Sequence, residues 1–374
     1  MAFVVNNDWW FLSHRASWGE ALKAAGAAVT VIAEDTGKAN VLRKMGFDFI
    51  DIHVGRESSS VLTMVKSAVQ ILLALLRLRP DVVFLTAQAA YTLGWPASLI
   101  LRRTAFVRVV SGTGRALTPS ALKTPASKVV QIAARITGRL HNMYTLFQVE
   151  QDRQVFISLG LLPFPERSLL LGGTGIVVDS WRGGDEFRDF EHPVILFASR
   201  LFREKGIYEF VEAAGLLHGR GWRFQIAGEP DYGVASAVTL DEIERWRRRG
   251  TVEVLGLCTD MTDVFAKATV FVLPTRHPEG TPRVLIEAGA AGVPSIASSQ
   301  SGCAAVIDHG VTGLLLGLEP SAQDIAAAVE SLASNPSVAN AMGLAAREKV
   351  TKNFSLEGVL TRLLEWAPLG AVRK

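Results

Sequence analysis

Short apolar runs bounded by glycine-rich or polar turns recur along the chain, and most are followed by a longer stretch with apolar residues at helical spacing. In the first half, the runs at 4–5, 28–33, 47–52, 82–85, 106–110 and 143–147 read as strands. Helices are predicted from Ser13 to about Ala25, over 61–78, from about Leu93 and from about Glu150. Ser13 suits the N-cap of the first helix, and Gly26 suits its termination. In the second half, strands are predicted at 193–198, 223–227, 252–255, in the run ending at Pro274, at 294–297 and at 314–316. Helices near 322–333 and 337–350 and from 355 to about 366 close the chain. Strand, helix, strand with short connections is the pattern of a doubly wound α/β sheet.

A length of 374 residues exceeds what one hydrophobic core normally serves, so two domains are expected, at 1–180 and 181–354, followed by a segment at 355–374. The polar, glycine-containing stretch at 181–190 marks the linker. A hydrophobic content of 49% excludes a disordered chain. The longest uncharged run, the 20 residues at 82–101, contains Thr86, Gln88, Gly94, Pro96 and Ser98 and reads as a strand, a turn and a helix start rather than a membrane span. Cys258 and Cys303 are the only cysteines and build no disulfide framework, and no zinc-ligand cluster occurs, so a reducing cytoplasm is expected. The N-terminus lacks the basic and apolar regions of a signal peptide.

Charge is unevenly placed. Residues 1–180 hold 19 Lys and Arg against 12 Asp and Glu, a net of +7, and the remainder holds 20 against 24, a net of −4. An anionic partner for the first half follows. The acid-free stretch 121–140 places Val129, Ile132, Ile136 and Leu140 broadly on one side, with Lys128, Arg135 and Arg139 along its flank. It reads equally as an interfacial helix on anionic lipid or as an ordinary surface helix.

Candidate chemistry concentrates in the second half. Glu279 and Glu287 are separated by seven residues, the first on a loop and the second inside a helix for which Thr281 suits the N-cap and Pro282 the first position. Backbone N–H groups around Gly280 and Thr281, with the positive end of that helix, suit a phosphate or polyhydroxy ligand. Arg200 and Lys205 form a basic pair five residues apart, where the second half's first strand gives way to a helix. That spacing suits a diphosphate, with Arg giving a two-pronged contact and Lys a point charge. After the strand at 106–110 comes Ser111-Gly112-Thr113-Gly114-Arg115, but Leu117 stands where a dinucleotide fingerprint needs its third glycine.

The Glu279-x7-Glu287 pattern with Arg200 and Lys205 resembles the retaining GT-B glycosyltransferases of group 1, or family 4, and the resemblance covers nearly the whole chain. The loop from Pro274 to Glu279 departs from the family pattern by one extra residue at His277-Pro278. The resemblance implies two Rossmann-like α/β domains facing across a cleft, with a C-terminal helix crossing back to the first domain. It implies that Arg200 and Lys205 bind the nucleotide diphosphate, Glu279 lies against donor sugar and phosphate, and Glu287 holds the ribose. Gly228 and Glu229 would line the nucleotide, and the backbone of Gly256 and Leu257 would read the base. The segment from Leu169 to Asp179 resembles the family's interdomain turn, and donor choice would rest on side chains around His277 and Gly302. Asn7, Asp8 and the aromatic stretch to His14 and Arg15 resemble the start of bacterial surface-glycan transferases and would face the acceptor, with His14 and Arg15 at an acceptor phosphate. The loop Ser111, Gly112, Thr113, Gly114 and Arg115 would face the donor or the acceptor.

No Asp-x-Asp occurs, so metal-independent transfer is expected, with no cofactor beyond the nucleotide sugar as co-substrate and no nucleic-acid partner. The expected acceptor is a polyprenyl-diphosphate-linked saccharide, at an anionic membrane surface on the inner face of the inner membrane. Two rivals remain: a nucleotide-sugar epimerase, which turns over donor with no acceptor, and a non-catalytic nucleotide-sugar sensor.

Overall fold

The computed structural model describes residues 1–52, 61–86, 88–112, 125–181, 190–278 and 280–370. The chain forms two compact units, one from Met1–Thr174 with Val359–Lys374 and one from Gly175–Gly358.

In the first unit, strands β1 (Ala2–Asn7), β2 (Thr30–Glu34), β3 (Asp48–Asp51), β4 (Val82–Thr86), β5 (Ala105–Val110), β6 (Met143–Phe147) and β7 (Ser168–Leu170) form a parallel sheet in the order β3-β2-β1-β4-β5-β6-β7. Its central strands are mostly apolar because helices cover both faces, and β4 is buried over all five residues. One face is filled by Phe3, Phe11, Trp18 and Phe84 and the other by Val4, Ile71, Leu85 and Phe106. Val359, Leu363 and Leu369 of the last two helices complete the first of these cores.

In the second unit, β8 (Val194–Ala198), β9 (Arg223–Ala227), β10 (Glu253–Gly256), β11 (Val270–Leu273), β12 (Ser295–Ser298) and β13 (Gly313–Leu316) form a second parallel sheet in the order β10-β9-β8-β11-β12-β13. Both sheets start in the middle and wind outwards twice. The order therefore reverses between β1 and β4 in one and between β8 and β11 in the other, and a crevice opens beyond the carboxyl ends of each pair.

The sequence placed twelve of the thirteen strands within a residue or two, missed β7 at the start of the segment read as a turn, and placed several helix starts less well. Ser13 caps nothing, because the first helix is Asp8–His14, with Asn7 at its N-cap accepting from Trp10 N at 2.8 Å. A second helix, Ala16–Ala24, follows at once. The helix expected from Leu93 is Gln88–Ile100, which accommodates Pro96 internally. The helix carrying Glu287 is Arg283–Ala290, with Pro282 at the N-cap and no side-chain cap, so Thr281 does not cap it and Pro282 stands one position earlier than expected.

Leu363→Ala removes a fully buried side chain from the first unit's core. It should cost about 3 kcal/mol of stability, read as an earlier transition in denaturant unfolding of the full chain.

Candidate active site

The crevice of the second sheet is bounded by the loops that follow β8 and β11, and these two loops are tied together through backbone. After β8 the chain passes Ser199, Arg200, Leu201 and Phe202 into a 3-10 turn, Arg203–Lys205. The carbonyl of Glu204 in that turn accepts from Arg276 N at 2.7 Å and from His277 N at 3.1 Å, both on the loop after β11. Thr275, fully buried, adds its hydroxyl to the same carbonyl at 3.3 Å. The Glu204 carboxylate accepts from Ser236 Oγ, and Ser298 Oγ at the end of β12 donates to the carbonyl of Thr275. Gly206 closes the turn with φ +78°, and a Cβ there would fall on the carbonyl of Pro274. Only glycine combines that backbone with that approach.

Phe202 is the second tie. It is 2% exposed, and the Arg200 guanidinium and the Lys205 ammonium each lie 5.5 Å from its ring centroid. The His277 ring meets it edge-on with centroids 5.9 Å apart. The two cations and His277, chosen from spacing and resemblance, are thus gathered by one aromatic that the sequence reading passed over. Lys205 is buried to 8% exposure, whereas Arg200 has a side chain 63% exposed and pairs with Asp231. An ion pair this exposed is held weakly, so an anionic ligand can take the guanidinium from Asp231 at small cost.

The neighbouring loops are knit to the same frame. Leu201 N donates to the Glu229 carbonyl at 2.8 Å, and Gly228 N donates to the Gly256 carbonyl at 2.7 Å. Gly228 has φ +134°, and a Cβ there would collide with the Ser199 carbonyl. Gly228 and Glu229 after β9 and Gly256 at the end of β10 thus form one rim with Arg200, while Leu257 beside them is 66% exposed.

Glu287 lies one turn into its helix and receives Arg283 Nε on Oε1 at 2.8 Å. Burial raises its pKa, and the pairing with Arg283 opposes that rise. Gly280 is buried and Thr281 half-buried ahead of the helix. Glu279 lies outside the described residues.

The first unit's crevice holds the acceptor candidates, and here the structure revises the expectations. Asp8 is fully buried. Its carboxylate accepts from the backbone of Trp9 at 2.6 Å, Thr36 at 3.0 Å and Lys38 at 2.7 Å, and also from the Thr36 hydroxyl. Burial acts to raise its pKa, but these donors outweigh it and hold the group below its ordinary value. Asp8 therefore fastens the loop after β2 and presents no carboxylate to a ligand. Arg15 is 1% exposed, with its guanidinium 4.2 Å from the Trp18 ring and 5.2 Å from the Trp10 ring. It donates to the His14 carbonyl at 2.9 Å and weakly to Ser111 Oγ at 3.4 Å, and desolvation lowers its pKa to about 9. A phosphate contact was expected of it; the structure makes it a buried post that joins the junction of the first two helices to the end of β5. His14 is half-buried, stacked on Trp10 at 4.8 Å, and joined through Nδ1 to Ser13 Oγ at 2.7 Å. Asn7 serves as the cap already described, and Gly112 follows Ser111 with φ +113°. Thr113, Gly114 and Arg115 lie outside the described residues.

Comparison with known proteins adds to this geometry. Residues 192–335 match the family model described as glycosyl transferases group 1, and residues 1–137 match that of glycosyl transferase 4-like proteins. Together the two matches cover 281 of the chain's 374 residues, and the chain belongs to the glycosyltransferases. Among curated relatives, the N,N'-diacetylbacillosaminyl-diphospho-undecaprenol alpha-1,3-N-acetylgalactosaminyltransferase of Campylobacter jejuni is 30% identical over 122 residues, 33% of this chain and 31% of that protein. The capsular polysaccharide biosynthesis glycosyltransferase CapM of Staphylococcus aureus is 25% identical over 162 residues, 43% of this chain and 42% of its own. This glycosyltransferase spans less than half the length of the curated relatives it matches. Its GT-B fold is shared with Anabaena HepE, solved in complex with UDP-glucose, at a TM-score of 0.75 and 16% identity over 97% of this chain and 98% of that one.

Two outcomes follow. Gly206→Ala should destabilise the second unit by about 2–4 kcal/mol through backbone strain and the clash with Pro274, seen in denaturant unfolding. Asp8→Asn should cost about 2 kcal/mol at neutral pH. Because the native pKa of Asp8 is lowered, its contribution is present above the ordinary carboxylate range and is lost as pH falls through the native pKa. The gap between wild type and variant should therefore narrow in acid unfolding titrations.

Proposed function

We propose that this glycosyltransferase moves a sugar from a nucleotide sugar, a UDP-sugar in the first instance, to a polyprenyl-diphosphate-linked saccharide, with retention of anomeric configuration and without a metal ion. In this reading the second unit binds the donor, the first binds the acceptor, and the reaction runs at the cytoplasmic surface of an anionic membrane in bacterial surface-polysaccharide synthesis. The observation that carries it is the gathering of Lys205 and Arg200 around Phe202 at the switch point of the second sheet. Support also comes from the lipid-linked acceptor in the name of the Campylobacter relative and from the UDP-glucose held by the Anabaena neighbour.

The chemistry is a displacement at the anomeric carbon. The bond from that carbon to the diphosphate oxygen breaks with its electron pair leaving on the diphosphate, and the acceptor hydroxyl oxygen forms the new bond through an oxocarbenium-like transition state. The hydroxyl proton passes to the departing phosphate. Charge grows on the diphosphate as the bond stretches, so Lys205 and Arg200 stabilise the transition state more than the bound donor. Glu287 holds the ribose hydroxyls, and Glu279 positions the donor sugar.

The test is release of nucleoside diphosphate from a panel of UDP-, GDP- and ADP-sugars in the presence of EDTA, with and without polyprenyl-linked acceptor. One donor should be consumed only with acceptor, and Lys205→Ala should lower kcat by about two orders of magnitude. Turnover without acceptor would favour an epimerase, binding without turnover a sensor, and a strict metal requirement would refute the metal-free mechanism.

A further inference from the structure

The helix Val61–Leu78 is apolar on two opposite faces. One face packs on the first sheet, with Ile71 and Leu75 fully buried in the core that holds Val83 and Leu85. On the other side Leu62, Val65, Val69 and Leu73 are 80%, 55%, 48% and 47% exposed. At the helical repeat these four fall within an arc of about 80°. Lys66 and Arg77, both exposed, border that arc on one flank. The helix Gln88–Ile100 touches both this helix and Pro125–Gly138, whose Ile132 and Ile136 are also exposed, beside Lys128 and Arg135.

Charge decides what covers such a face. Between Glu57 and Glu150 the sequence has 11 Lys and Arg and a single acid, Asp81. A second copy meeting this face symmetrically would bring the Lys66 and Arg77 cations of both copies to one interface with no acid on either face of this helix to offset them. An anionic lipid surface meets both needs at once, taking apolar side chains into the acyl boundary and cations at the phosphates. Among the described residues no helix is long and apolar enough to cross a membrane, so the contact is one of surface, not span.

We propose that the stripe Leu62, Val65, Val69 and Leu73 docks on an anionic lipid bilayer, with Lys66 and Arg77 at the headgroup phosphates. The inference deepens the membrane reading above and places the principal contact on this helix, whereas the sequence had drawn attention to 121–140. It agrees with a lipid-linked acceptor but does not need one.

The test is co-sedimentation of the full chain with phosphatidylcholine vesicles, with and without phosphatidylglycerol, in the absence of any acceptor. Wild type should bind the anionic vesicles, and Val65→Asp with Val69→Asp should lower that binding about tenfold or more. Ile132→Asp should lower it less. Val69→Cys carrying an environment-sensitive dye should shift to the blue on anionic vesicles, a readout that keeps the rest of the stripe intact. Unchanged binding by the aspartate variant, no dye shift, or a wild-type dimer that the variant dissolves without vesicle binding would each overturn the proposal. A failure of the transferase reading would leave these results untouched, since no substrate enters the assay.

Discussion

One backbone carbonyl, that of Glu204, sets the shape of the candidate donor site. By accepting from Arg276 and His277 it fastens the turn that carries Lys205 to the loop that leads towards Glu279. The fastening works only because Gly206 lets the turn come down on Pro274 without a side chain in between. Hydrogen bonds of this kind add little net stability each, about 1 kcal/mol, but several together fix a geometry. Lys205 is therefore in place before a ligand arrives, and only the exposed Arg200 has to be drawn from Asp231.

The same economy explains why the site lies where it does. In a sheet that winds outwards from its centre, the two strands at the reversal send their connections to opposite faces and leave a crevice that loops alone can line. The loops after β8 and β11 line it in the second unit. The equivalent crevice of the first unit is built differently, around a buried arginine between two tryptophans and a buried aspartate that fastens the next loop. Among the described residues, Asp8 and Arg15 there act as structural posts.

The sequence revealed the doubly wound pattern, all strands but the short edge strand β7, and the two cations of the second unit, because apolar runs and a basic pair after a strand are local signals. It did not reveal Phe202 as the centre that gathers Arg200, Lys205 and His277, since an aromatic between two cations looks like any core residue until the fold is known. Asp8 and Arg15 were misread for the complementary reason. A charged residue in a loop at a strand's carboxyl end normally faces solvent, and only the three-dimensional structure shows that Thr36, Lys38, Trp10 and Trp18 enclose these two. The helix start at Asp8 was missed because Asn7 and Ser13 are equally good caps and the sequence does not choose between them, and the start at Arg283 was placed one residue early because Thr281 is a better cap by propensity than the Pro282 that takes the position.

The most direct measurement is calorimetric titration of UDP, GDP and ADP, with uridine as the phosphate-free control, into the full chain and into Lys205→Met. If the loops after β8 and β11 hold a diphosphate, one nucleotide binds preferentially, and the substitution weakens it about tenfold or more while uridine binding stays as it was. Equal diphosphate affinity in the two proteins would contradict the assignment of this site.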